Sequence, residues 1–87
     1  MATTLRSPII RVHFFARYAD LMGVDHIELP AEGLTTAGDV VARIRGLPGG
    51  GAIGTGALVA VNLRQVSLQA LVAAGDEVAL LPPLAGG

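Results

Sequence analysis

The segment IIRVHFF, residues 9–15, decides the fold of this 87-residue chain. Its apolar and polar side chains alternate, with Ile10, Val12 and Phe14 on one side and Arg11 and His13 on the other. Successive side chains of a strand point to opposite faces of a sheet, so the alternation predicts a half-buried β-strand. Hydrophobic residues make up 52% of the chain, which indicates a packed globular domain around this strand.

The next segment, residues 16–22, changes from strand period to helical period. Tyr18, Leu21 and Met22 lie at positions i, i+3 and i+4, which predicts one or two helical turns with these side chains in the core. Gly23 is placed to end the helix, because glycine readily adopts the left-handed conformation of a C-terminal cap.

A second strand and a longer helix follow. Residues 24–29 alternate again, and Pro30 ends this strand, which is expected to pair with the first. Thr36 and Asp39 resemble a capping box, the start signal of a helix. Apolar residues then recur at helical spacing before the expected stop at Gly46 and Pro48: Val40, Ile44 and Leu47.

Residues 48–56 are rich in glycine and contain a literal G-x-G-x-x-G string at residues 49–54. A dinucleotide site requires that string between a strand and the helix that follows it. Here it follows a helix and leads into a strand, so a flexible loop is predicted instead of a phosphate site.

Three more strands are expected at residues 58–61, 66–68 and 77–81, with a turn at residues 73–76. This order indicates an α+β domain with a mixed sheet of four to five strands, one crossing helix and one short extra helix. With the last strand beside the first, it is a β-grasp, or ubiquitin-like, fold. The predicted organisation is a disordered leader at residues 1–8, one domain at residues 9–83 and a flexible Gly-Gly tail at residues 84–87.

Composition excludes several classes of function. The formal net charge is −1 and the six basic residues are scattered arginines, so the basic surface that nucleic acid requires is missing. The chain has no cysteine and no lysine, which excludes thiolate and Schiff-base chemistry. No apolar run approaches the roughly 20 residues of a membrane span, and no signal peptide is evident, so a cytoplasmic location is expected.

Few side chains are candidates for a metal or catalytic site. His13 and His26 alternate with apolar residues, and no carboxylate or cysteine stands at ligand spacing beside them, so they are predicted to be surface residues without a metal. Asp76 and Glu77 stand beside a turn and, as adjacent residues, point to opposite faces, which suits turn and edge solubility better than an acid–base pair. The alternative is a docking contact to a basic partner. No side chain is predicted to carry out a reaction, and no bound cofactor is expected.

The segment Leu81-Pro82-Pro83-Leu84-Ala85-Gly86-Gly87 remains as the candidate site. The two prolines stop the last strand and send the chain out in a stiff extended form. The four residues beyond Pro83 add roughly 13 Å of reach, and the two glycines make the tip thin enough for a narrow slot. The sequence therefore predicts that the carboxylate of Gly87 is the reactive group and that it enters the active site of another protein.

Two stretches resemble the small subunit of molybdopterin synthase, the MoaD family. The first runs from Val12 to Gly23, VHFFARYADLMG, and the second from Gly75 to Gly87, GDEVALLPPLAGG, with VAVN at residues 59–62 between them. The resemblance covers about residues 9–87. The shorter glycine-rich segment at residues 48–56 departs from the family pattern.

The resemblance implies a sulfur carrier. An activating enzyme related to ubiquitin-activating enzymes would use ATP to adenylate Gly87, and a sulfur donor would convert the acyl-adenylate to a thiocarboxylate. The tail, with Leu84, Ala85 and Gly86, would enter the large subunit, in a heterotetramer, and give its sulfur to a pterin precursor. The reaction belongs to the complex, because this chain supplies no catalytic side chain.

The resemblance also implies a docking face formed by Phe15, Ala79, Leu81, Pro82 and Pro83. The alternative is that Phe15 packs inside and only Leu81 is exposed. Other functions stay open: a sulfur carrier for cysteine or thiamine synthesis, a ubiquitin-like protein modifier, or an interaction domain with an inert tail.

Overall fold

Five strands and two α-helices make up the computed structural model, which describes residues 8–54 and 56–83. The elements in chain order are β1 Ile9–Phe14, α1 Arg17–Met22, β2 His26–Pro30, α2 Ala37–Arg45, a 3₁₀ turn at Gly50–Ala52, β3 Leu58–Val61, β4 Arg64–Val66 and β5 Glu77–Leu81. No helix in these two ranges is long and apolar enough to cross a bilayer. The predicted leader and the predicted tail lie outside the described residues, apart from Pro8.

The five strands form one mixed sheet in the order β2-β1-β5-β3-β4. Strand β5 lies parallel to β1, with Val12 opposite Val78, while the pairs β1–β2, β3–β5 and β3–β4 are antiparallel. The last strand is therefore beside the first, and the prediction of a β-grasp fold with one crossing helix and one short helix is confirmed.

The core lies between α2 and one face of the sheet, called the inner face. The alternation predicted for β1 is confirmed, because Ile10 and Val12 are fully buried on this face and Phe14 nearly so. Buried residues of the other elements complete the cluster: Tyr18, Leu29, Leu34, Ala37, Val40, Ile44, Ile53, Val59, Val72, Val78 and Leu80. The opposite face, called the outer face, has no helix over it in the described residues, so its side chains are accessible to other molecules.

Helix α1 has the length that its sequence predicts, but one of its expected core residues is exposed. Tyr18 is buried and Gly23 ends the helix in the left-handed conformation, with φ 77°, as expected. Leu21 is exposed, so the prediction that it belongs to the core is wrong. With only six residues, α1 makes fewer than two turns; Tyr18 is its one buried side chain, and the half-buried Ala19 and Met22 also pack against the core.

Helix α2 begins at the predicted capping box. Thr36 is its N-cap, and its hydroxyl accepts a hydrogen bond from the backbone N–H of Asp39 at 3.2 Å. The Asp39 carboxylate accepts from the backbone N–H groups of Thr35 at 2.9 Å and Thr36 at 3.0 Å. These two bonds lower the pKa of Asp39 below its ordinary value of 3.8.

The lowered pKa of Asp39 makes its contribution to stability depend on pH. Because the folded-state pKa lies below the unfolded one, the contribution is complete above about pH 4 and is lost as the pH falls through the folded-state pKa. We expect Asp39→Asn to reduce the melting temperature at pH 6 and to flatten its decline below pH 4. Thermal unfolding followed by circular dichroism across this range measures both effects, and parallel curves for the two proteins would contradict the assignment.

The glycine-rich segment is packed against both helices, and the prediction of a flexible loop is wrong for its first half. Gly50 is buried and Ile53 is fully buried in the core. A Cβ on Gly49 would lie 2.3 Å from the carbonyl oxygen of Leu21, and one on Gly50 would lie 1.8 Å from that of Ile44. The glycines therefore permit close contact between this segment and the C-terminal ends of α1 and α2.

Two strand boundaries also differ from the prediction. Strand β2 begins at His26 instead of residue 24, and Val24 is exposed. Strand β4 covers Arg64–Val66 instead of residues 66–68, because β3 turns back after only two connecting residues, Asn62 and Leu63.

Candidate functional site

The parallel pairing of β1 and β5 brings the predicted docking residues to one end of the outer face. Phe15 follows β1 directly, and its backbone N–H donates to the carbonyl oxygen of Leu80 at 3.2 Å. Its side chain is 48% exposed, so it does not pack in the core. Ala79 and Leu81 alternate with the buried Val78 and Leu80, which places them on the outer face with Phe15.

Strand β3 extends this apolar surface. Leu58 pairs with Leu81, and Ala60 pairs with Ala79, so both lie on the outer face and both are half-buried. Sequence reasoning missed these two residues, although the alternation of β3 would have identified them once its neighbour was known. We call the outer-face group of Phe15, Leu58, Ala60, Ala79 and Leu81 the docking patch.

The chain leaves the sheet at the edge of the docking patch. Pro82 is half-buried and Pro83 is exposed, and a Cβ built on Gly56 would be 3.5 Å from Pro83. Leu84, Ala85, Gly86 and Gly87, the predicted tail, lie outside the described residues. Their point of departure is nevertheless defined, because Leu81 ends β5 inside the patch.

The other end of the outer face is polar. Arg11 donates to Glu28 at 3.0 Å and lies 3.6 Å from Glu77, and His13 Nε2 lies 2.5 Å from Glu77 Oε1. On β2, His26 Nδ1 lies 2.7 Å from Asp25 Oδ1. The hydrogen bond from His13 has the largest effect and lowers the pKa of Glu77; desolvation opposes it, and the charge of Arg11 lowers the pKa further.

The histidines are solvent-accessible, as predicted, but carboxylates do lie beside them. Parallel pairing of β1 with β5 brings Glu77 to His13 over a sequence separation of 64, a proximity that local spacing does not reveal. Within residues 8–54 and 56–83, no group of three or more potential ligands is arranged to hold a metal ion. Asp76 instead closes the turn before β5, by accepting hydrogen bonds from Ala73 N–H and Asn62.

A shallow groove of about 450 Å³ crosses the outer face between the polar end and the docking patch. Its lining comes from β1, β5 and the β3–β4 turn: His13, Phe15, Asn62, Leu63, Glu77, Val78 and Ala79. This lining combines the small side chain of Ala79 with the larger Phe15 and Leu63. Leu63 is fully exposed, at 102% of its reference area, and was not identified from the sequence.

Backbone strain occurs beside this groove at non-glycine residues. Ala16 has φ 52° and ψ −132°, and the turn is closed by the Tyr18 N–H donating to the Phe15 carbonyl oxygen at 3.0 Å. Asn62 and Leu63 have φ 51° and 72°. Asparagine tolerates this region, whereas alanine and leucine disfavour it at a cost on the order of 1–3 kcal/mol each.

The chain matches a known protein family over most of its length. A family model for ThiS matches residues 12–87, which is most of the chain and includes the second half of β1, the docking patch and the final glycines. The chain belongs to the ThiS family. Together with the β-grasp fold, this membership places it among the ubiquitin-fold sulfur carriers and modifiers, of the kind that ThiS and MoaD represent.

Solved structures resemble this ThiS-family chain over nearly its full length. The protein described as molybdopterin converting factor subunit 1 of Pyrococcus furiosus is 29% identical, with a TM-score of 0.75 over 90% of this chain and 100% of that one. Small archaeal modifier protein 1 of Haloferax volcanii is 26% identical, with a TM-score of 0.74 over 88% and 99%. Subunit 1 in a complex of subunits 1 and 2 of the Helicobacter pylori molybdopterin-converting factor shares the fold at 20% identity, with a TM-score of 0.66 over 91% and 99%.

Proposed function

We propose that this chain is the sulfur-carrier small subunit of molybdopterin synthase. The observation that carries the proposal is the position of the docking patch, which surrounds the end of β5 where the chain continues into Pro82, Pro83 and the Gly86-Gly87 terminus. A partner that covers the patch would receive the tail in the same contact. The likeness to subunit 1 of the P. furiosus converting factor supports this assignment.

In the proposed cycle, Gly87 supplies the reacting carboxylate. A separate activating enzyme joins it to AMP from ATP with release of pyrophosphate, and a sulfur donor then displaces AMP to leave a thiocarboxylate. The carboxylate is a poor electrophile, whereas the acyl-adenylate has a good leaving group, which explains the activation step. Transfer of the sulfur to a pterin precursor in the large subunit, with water supplying oxygen, restores the carboxylate.

The proposed partners follow from this cycle. The chain needs an activating enzyme that uses ATP, a sulfur donor and a large subunit, and it needs no bound cofactor or metal of its own. The H. pylori protein with the same fold was solved as a complex of subunits 1 and 2, which gives the large-subunit partner a precedent. A heterotetramer with two copies of each chain is the proposed assembly.

Conversion of the Gly87 carboxylate to a thiocarboxylate in vitro tests the proposal directly. The purified chain is incubated with the activating enzyme of its own organism, ATP and a sulfide source, and its intact mass is measured. The expected product is heavier by the difference between sulfur and oxygen, with the change located at Gly87 by fragmentation. A known sulfur carrier is the positive control for the activating enzyme. If the enzyme converts this control to its thiocarboxylate but leaves the mass of the chain unchanged, the carrier function is contradicted.

A second candidate is a protein modifier, and the similarity to small archaeal modifier protein 1 favours it. In that case the activated Gly87 would be attached to amines of other proteins. The absence of lysine in this chain excludes lysine-linked chains of it but permits single attachments. Denaturing gels of the charging reaction with cell extract distinguish the two, because a modifier gives a ladder of conjugates and a dedicated carrier does not. Carriers for cysteine or thiamine synthesis would share the charging step and differ in the acceptor.

The docking patch gives a further prediction at Leu81. We expect Leu81→Asp to weaken binding to the large subunit by tenfold or more, because the contact would bury an unpaired carboxylate. Leu71→Asp is the matched control, since Leu71 is 75% exposed and lies at the bridge to Thr36, away from the patch. Isothermal titration calorimetry measures both, and equal affinities for the two variants would remove Leu81 from the interface.

A further inference from the structure

The groove between Phe15 and Leu63 has a feature that the docking patch does not explain. Leu63 is the most exposed large apolar side chain among the described residues, and it stands at the tip of a two-residue turn with φ 72°. Glycine is the residue that such a turn favours at this position. A leucine there carries both backbone strain and full hydration of its side chain, and neither the sheet nor the core benefits from it.

The opposite wall of the groove shows the same combination. Phe15 is 48% exposed and is followed by Ala16, whose backbone is in a region that glycine favours. The strained turn at Ala16 directs the chain into α1 and leaves Phe15 on the outer face. Two large apolar side chains, one at a strained position and one next to a strained position, thus line a single groove together with the small residue Ala79.

The charges around the groove are unbalanced. Beside it, the carboxylates of Asp25, Glu28 and Glu77 outnumber the guanidinium of Arg11, which contacts both glutamates, while His13 contacts Glu77 and His26 contacts Asp25. Arg64 follows Leu63 but pairs with Val61, a position of the other face of the sheet. A protein that covers this groove therefore meets an apolar surface with a negative margin.

We propose that this groove is a second contact site for the protein that receives the tail, with Leu63 as a residue that determines partner specificity. The occupant is a protein surface that places an apolar side chain over Ala79, between Phe15 and Leu63, and a lysine or arginine beside Glu77. This inference rests on the proposed function, because the groove is continuous with the docking patch through Phe15 and Ala79. It adds a contact at the β3–β4 turn, away from the end of the sheet where the tail departs.

Three variants at two leucines test the apolar part. Leu63→Ala and Leu63→Gly are each expected to weaken binding to the large subunit of the same organism by about tenfold. Leu63→Gly also relieves the strain, so its melting temperature is expected to match or exceed that of the wild type. Leu71→Ala, at an exposed leucine outside the groove, is expected to bind like the wild type. The combination of a stable fold with weaker binding is not expected of a residue that acts only on stability.

A charge variant tests the other part. Glu77→Gln is expected to lower the affinity and to reduce its dependence on salt, whereas Glu32→Gln, an exposed glutamate in the β2–α2 connection, changes neither. Binding is measured by calorimetry at two salt concentrations. The chain ends in its ordinary carboxylate and not in a thiocarboxylate, so the affinity does not depend on sulfur chemistry.

Each outcome has one meaning. Wild-type affinity for both Leu63 variants, or an equal loss for Leu71→Ala, overturns the role of Leu63. Equal behaviour of the two glutamate variants overturns the basic contact. No binding of the wild type to the large subunit overturns the whole inference. Formation of the thiocarboxylate at Gly87 is measured separately. If it is normal while the Leu63 variants bind like the wild type, the carrier function stands and only this contact is removed.

Discussion

Deletion of Gly87 is expected to abolish sulfur transfer completely while the fold stays as stable as before. The reaction needs a carboxylate at the end of a tail of fixed length, and a tail shorter by one residue places it roughly 3.5 Å away from the reacting position. Misplacement by even about 1 Å can cost on the order of 100-fold in rate. Among the described residues, which end at Pro83, the core contains none beyond Leu80, so the melting temperature is expected to change by no more than about 1–2 °C.

Two measurements separate this effect from loss of folding. Thiocarboxylate formation is followed by intact mass, and sulfur transfer is followed by single-turnover assay with the large subunit. Extension of the chain by one alanine after Gly87 is the complementary variant. It keeps every native residue and changes only the position of the terminal carboxylate. Both variants are expected to be inactive and folded. Transfer by the shortened chain at the wild-type rate would eliminate the terminal carboxylate as the reacting group.

The sequence predicts the sheet better than it predicts the surface on it. The alternation in β1 identifies which side chains face the core, because a half-buried strand has a fixed period. The position of β5 beside β1 follows from the order of elements together with the known β-grasp arrangement. Once these two strands are neighbours, Phe15, Ala79 and Leu81 necessarily share one end of the outer face.

Contacts that depend on tertiary structure were not predictable in this way. The pairing of His13 with Glu77 joins residues 64 positions apart, and no local pattern encodes it. The Asn62-Leu63 turn was missed because leucine is an unfavourable residue at positive φ, so the usual turn signal of Asn-Gly is absent. In α1, the helical spacing of apolar residues predicts that Leu21 is part of the core, but Leu21 is exposed. A helix of six residues makes fewer than two turns, so the spacing of its apolar residues is a weak guide to which of them are buried.

The glycine-rich segment gives the prediction with the largest effect on stability. Gly50→Ala is expected to destabilise the fold by roughly 3 kcal/mol or more, which corresponds to a fall in melting temperature of about 12 °C or more. The added Cβ would lie 1.8 Å from the Ile44 carbonyl oxygen, and that oxygen belongs to helix backbone, which cannot move aside as a flexible side chain can. The obstacle is space alone, because Gly50 is not among the glycines with positive φ.

Gly51→Ala is the matched control for this substitution. It adds the same methyl group to the next residue of the same 3₁₀ turn, where the nearest atom, the carbonyl oxygen of Arg45, would be 4.0 Å away. We expect this variant to melt within about 2 °C of the wild type, because alanine also restricts the unfolded chain. A large difference between the two variants would show that Gly50 maintains the contact between this segment and α2. Similar melting temperatures would mean that the segment can move away from α2 at little cost, and that the close approach of Gly50 to Ile44 contributes little to stability.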